Sequence, residues 1–117
     1  MMDLLDEIYI KQKKKFPDVT VEQAWRKLKG EIIELQQARR DFSKNPTLET
    51  AEKIKYEEAD VIIMANNIYQ ENQDEVAWLI LDKLYNYKSS KYVAAKWKIV
   101  EERSYHKDKY GNYQHDS

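Results

Sequence analysis

Two acidic pairs are the residues best suited to chemistry in this chain: Glu31-Ile-Ile-Glu34 and, after 22 intervening residues, Glu57-Glu-Ala-Asp60. Residues three apart on an α-helix are separated by about 60° around the axis, so each pair points to one side of its helix. Helical projection puts Glu31 within the arc of Leu28, Leu35 and Phe42, with Glu34 at its margin. On the next helix Glu57 and Glu58 fall within the apolar arc and Asp60 at its edge. A lone desolvated carboxylate is costly, so acidic groups that two helices aim at shared ground need a cation. Oxygen-only donors match Mg²⁺, or Mn²⁺ in its place, and a combined charge of about −4 is what two such ions would balance. Taken singly, each pair belongs more often to a solvated helix face than to a metal site. Glu58 has two readings, a further ligand or a buried partner for a cation such as Arg39. Carboxylate-bridged di-iron chemistry requires Glu-x-x-His, and the two histidines, His106 and His115, are remote from both pairs.

The elements that must position these pairs are helices. Two Gly and two Pro leave few breakers, and Leu, Glu, Lys, Gln and Ala are abundant before residue 90. A first helix over about Asp3–Lys15 ends ahead of Pro17. Thr20, with Gln23 three positions on, opens a second as a capping box, and Trp25, Leu28, Ile32, Leu35 and Phe42 carry it to about Phe42. A third, after Asn45-Pro46-Thr47, bears Ala51, Ile54, Val61, Ala65 and Ile68 and ends near Tyr69. Asn72 is placed to cap a fourth, with Val76, Leu79, Ile80, Leu84 and Tyr87 as its buried face, fading near Lys88. Trp25 and Trp78 are expected in the core. Residues 91–117 are polar and rich in Lys and Tyr; they read as an arm or tail, with Trp97, Ile99 and Glu101 in an extended pattern. The expectation is an all-α, four-helix domain over residues 1–90 and a C-terminal arm over 91–117.

Composition narrows the function. The apolar fraction of 42% suffices for one modest core, and 20 basic residues nearly cancel 21 acidic ones. A net charge of −1 offers no global attraction for nucleic acid or an anionic membrane. The absence of cysteine removes disulfides and thiolate chemistry. No apolar run approaches the roughly 20 residues of a membrane span, and the start lacks a signal-peptide pattern, so a cytoplasmic protein is expected.

Glu-x-x-Glu, a spacer and Glu-x-x-Asp, with the flanks KLKGEIIELQQA and YEEADVIIMANNIY, resemble the MazG-like all-α nucleoside triphosphate pyrophosphohydrolases, relatives of which include dimeric dUTPases and dCTP pyrophosphatases. The resemblance covers about residues 20–90; Gly30 stands where relatives often carry another Glu. It implies that Glu31, Glu34, Glu57 and Asp60 hold Mg²⁺, with Glu31 or Glu34 helping to deprotonate a water that attacks the α-phosphorus. It further implies that Lys83 neutralises phosphate charge and that Asn86 hydrogen-bonds phosphate or sugar. Relatives form dimers or tetramers, and short helices with wide apolar stripes bury more by associating, so a homodimer or homotetramer is expected. The other class of function compatible with the sequence is a non-catalytic helical interaction module. A nucleic-acid-binding bundle would want a clustered basic face on one helix, and none stands out.

Overall fold

The computed structural model describes residues 3–116, and in these the chain is all-α apart from one small hairpin: α1 (Leu4–Lys15), α2 (Val21–Lys44), α3 (Leu48–Asn72), α4 (Glu75–Leu84), α5 (Ser90–Glu102), β1 (Tyr105–Lys107) and β2 (Tyr113–His115). Local chemistry sets the helix starts. Asp3 caps α1 by accepting from the Asp6 amide, and Thr20 and Gln23 form the expected reciprocal capping box on α2. Thr47 and Thr50 do the same for α3. Asn72, expected to cap the fourth helix, is instead the last residue of α3. Gln73 then takes a left-handed conformation (φ 53°), and Asp74 caps α4 through the Ala77 amide.

Helix α3 is central, because each of the other four helices packs against it. That explains why its apolar residues are not confined to one stripe: Ala59, Ile62 and Ile63 join Leu5 and Ile8 of α1 and Val93 and Trp97 of α5. Val61, Ala65 and Ile68 join Ala24, Leu28 and Leu35 of α2 and Ala77 of α4. One buried polar link crosses the layers, the Asn66 side chain donating to the Leu5 carbonyl at 2.9 Å.

Three expectations are corrected here. Residues 91–117 are not a tail: 90–102 form α5, whose Val93 and Trp97 are 0% and 5% exposed. Lysines at 91, 96 and 98 diluted this stripe in the sequence, yet a lysine stem packs beside apolar groups while its ammonium stays polar. The bundle therefore has five helices rather than four among the described residues. On α4 the packed face is Ala77, Ile80, Leu81 and Leu84, whereas Val76, Leu79 and Tyr87 are exposed and Trp78 is half-exposed. An apolar helix of ten residues carries hydrophobic groups on both sides, so periodicity alone did not choose between them.

The hairpin pairs Tyr105 with His115 and Lys107 with Tyr113 in antiparallel register. Its turn is closed by the Asp108 carboxylate, which accepts from the Tyr110 and Asn112 amides, and by Gly111 at φ +79°, where a side chain would be strained. It docks on the α1–α2 corner. Phe16 meets Tyr105 and Tyr113 edge-on at 4.9 and 4.8 Å, and Asp18 accepts from the Tyr113 hydroxyl at 2.7 Å and pairs with Lys107. Among the described residues no helix is long and apolar enough to cross a membrane.

Candidate metal centre and its cavity

The connection at 45–47 folds α3 back along α2, so that the two acidic pairs meet. Ligand-capable oxygens of Glu31, Glu34, Glu57 and Asp60 all lie within 4.8 Å of one another. Glu31 and Asp60 side chains are only 12% and 16% exposed, while Glu34 is exposed. Among the described residues, Glu31 Oε2 and Glu57 Oε2 are shielded from solvent with no hydrogen-bond partner. Four converging carboxylates, two of them with an unpartnered shielded oxygen, are a donor set that fits a hard divalent cation, since such oxygens are otherwise expensive to bury.

The electrostatics agree with crowding. Burial, then the Asp60 charge, pushes the Glu31 carboxyl up to about 7, and burial followed by Asp60 and Glu34 raises Glu57. Asp60 is raised by burial, against which Lys96 pulls it down. Lys96 of α5 stands 3.3 Å from Asp60 and Lys27 of α2 is 3.7 Å from Glu31. Two lysines thus offset part of the acidic charge.

Lys96 is not among the expected site residues, since the sequence pattern makes its segment an arm or tail; its spacing of three from Val93, next to Trp97, is the signal that points to it. Lys83 and Asn86 are placed elsewhere. Both are exposed, Lys83 at the end of α4 and Asn86 in the following turn, where its side chain accepts from the Lys88 and Ser89 amides. Neither lines the cavity that holds the carboxylates. Within one chain, the cations nearest the acidic cluster are Lys96 and Lys27 instead. Glu58 is outside the cluster too, and it pairs with Lys55 at 3.8 Å rather than with Arg39.

The carboxylates open into a cavity of about 490 Å³, walled by α1, α2, α3, α5 and the hairpin. Its α3 wall carries a helical stripe, Glu57, Asp60, Met64, Asn67 and Glu71, spaced by three and four residues, with Ile63 beside it. It therefore runs from the acidic end towards Gln12 of α1, whose amide nitrogen sits 4.0 Å from Met64 Sδ. Gly30 lines the acidic end, and a Cβ built there meets nothing within 4 Å. That volume is open space at the cavity edge.

No protein-family model, no curated protein and no solved structure matches this chain.

Proposed function

We propose that this chain is a metal-dependent nucleoside triphosphate pyrophosphohydrolase, cleaving an NTP or dNTP to the nucleoside monophosphate and pyrophosphate, as its likeness to the MazG-like enzymes implies. The observation that supports it best is the convergence of Glu31, Glu34, Glu57 and Asp60 from two helices onto one end of a ligand-sized cavity, with two of their oxygens unpartnered. These four would hold Mg²⁺, or Mn²⁺ in its place. A bound divalent ion there supplies charge neutralisation for a polyphosphate and makes water more acidic.

The protein's own groups divide the remaining work. Glu34 is exposed towards solvent while Glu31 and Asp60 are shielded, which supports Glu34 as the group that would take a proton from the water attacking the α-phosphorus, with Glu31 as the alternative base. The bond from that phosphorus to the bridging oxygen breaks and pyrophosphate leaves. Lys96, already in the cavity, offers positive charge to the departing phosphates. Lys83 and Asn86 face outward and would serve a site only across an interface between copies. The exposed Val76, Trp78 and Leu79 on α4 favour such association, as a homodimer or homotetramer.

A non-catalytic interaction module is the second reading, favoured by the Lys96–Asp60 and Lys27–Glu31 pairs, which neutralise part of the cluster without any metal. Pyrophosphate release from ordinary and modified NTPs and dNTPs, with Mg²⁺ or EDTA, separates the two. Mg²⁺-dependent release that disappears in Glu34→Gln is expected of the enzyme; no release from any nucleotide leaves the module.

A further inference from the structure

Four of the five walls of this cavity belong to the core of the protein, since α1, α2, α3 and α5 each contribute buried residues. The fifth wall, the hairpin, does not. No residue of 103–116 is buried, and none joins either apolar cluster. Even so, Tyr105, Asn112, Tyr113, Gln114 and His115 line the space into which the carboxylates open. The hairpin is therefore the one wall of the candidate site that can be displaced without opening the core.

We infer that the hairpin is a gate, which leaves the α1–α2 corner to admit a ligand to the carboxylate cavity and docks again over it, with Asp18 as its latch. The inference rests on the cavity being the substrate site proposed above, and it adds a control of access to that site.

The first support is the way the hairpin is attached. Among the described residues, no backbone hydrogen bond joins residues 104–116 to a helix. Side chains of the α1–α2 corner hold it instead: the Phe16 ring against Tyr105 and Tyr113, the Lys15 ammonium 5.4 Å from the Tyr105 ring centre, and a long bond of 3.4 Å from Gln23 Nε2 to the Gly111 carbonyl. Asp18 adds its two contacts, to Lys107 and to the Tyr113 hydroxyl. The Asp18 and Lys107 side chains are 56% and 42% exposed, so water competes for their pairing.

Internal bonding is the second support. The Asp108 amide donates to the Asn112 carbonyl at 2.9 Å, the Gly111 amide to Asp108 at 3.0 Å and the Asp116 amide to Ser104 at 2.8 Å. Undocking thus leaves these backbone groups paired, and the unit moves whole. A pivot is also present: α5 ends at Arg103 in an extended conformation (φ −77°, ψ 148°), and exposed Ser104 alone separates it from β1. Segments with few buried apolar contacts open at low free-energy cost, and active-site lids are drawn from such segments.

Asp18 does not line the cavity, so it acts on the site only by positioning the hairpin. The test uses the full chain, Mg²⁺ and fluorescent, ribose-labelled α,β-imido nucleoside triphosphates, which resist cleavage. Asp18→Ala removes both latch contacts. It should raise association and dissociation rates together by about three- to tenfold, with Kd moving less than about twofold, because the latch favours the docked hairpin equally with and without ligand. The chain has no cysteine, so a short bis-maleimide on Asp18→Cys with Lys107→Cys bridges those two positions alone. Bridging should slow both rates, whereas the same variant capped with N-ethylmaleimide should resemble Asp18→Ala. In the unsubstituted, metal-free protein, amides of 105–115 should show microsecond-to-millisecond exchange by relaxation dispersion that Mg²⁺ and nucleotide suppress, while Val93 and Trp97 stay flat; no folding defect confounds this readout. Equal rates in wild type, Asp18→Ala and the bridged protein, or a flat profile over 105–115, overturn the gate and leave the pyrophosphohydrolase standing. Failure of the wild type to bind any nucleotide overturns both.

Discussion

Replacing Glu31 by Gln should make the metal-free protein more stable, although it removes a group from the centre of the candidate site. The buried carboxyl is raised from its ordinary 4.5 to about 7, which sets a ceiling of about 3 kcal/mol on the cost of its ionised form. The open side of the cavity screens part of this, leaving about 1–3 kcal/mol. The opposing attraction of Lys27 is already counted in that net shift. The sign follows from proton counting. Between 4.5 and 7 the folded chain holds more protons at Glu31 than the unfolded chain, so wild-type stability falls as pH rises through that window. The penalty is complete above about 7 and shrinks to less than about 1 kcal/mol near pH 5. Thermal melts in EDTA should therefore show Glu31→Gln ahead of wild type by roughly 4–12 °C at pH 8, with the gap closing towards pH 5. Mn²⁺ at about a hundred times its dissociation constant should return about 2.7 kcal/mol to the wild type and much less to the variant. A variant no more stable than wild type at pH 8, or a gap that ignores pH, would falsify the picture of an electrostatically crowded, cation-seeking cluster.

Gly30→Ala should stabilise α2 by roughly 0.5–1 kcal/mol, since its Cβ meets nothing, yet raise KM because the methyl occupies cavity space; denaturant melts and kinetics read the two effects separately. Removing residues 90–117 should abolish the cooperative melt of the remainder, because Val93 and Trp97 are core residues; a sharp transition in the truncated chain would show that α5 is dispensable. Val76→Glu with Leu79→Glu should lower the mass measured by light scattering to that of a single chain while leaving the circular dichroism unchanged, as both side chains are more than half exposed.

How far the sequence disclosed this molecule depended on whether the relevant signal was local. Thr20 with Gln23, and the two acidic pairs, are patterns within one turn of helix, and the structure bears out the cap and brings the four carboxylates together. Signals that required knowing which neighbour an element meets were harder to read. Helix α5 packs on α3 with only a narrow apolar stripe, Val93 and Trp97, set among lysines, so its hydropathy resembled a tail. Reading α5 as an arm or tail hides Lys96 and the Trp97 indole, and the cation that the resemblance implies, Lys83, is exposed and does not line the cavity. Gln12 shows the same limit from the other side. On α1 it is one polar residue among lysines, and only the packing of α1 on α3 turns it into a buried, unmatched acceptor. The charged end of this site is therefore written in short-range spacing, whereas the rest of its cavity exists only where α1, α3 and α5 meet.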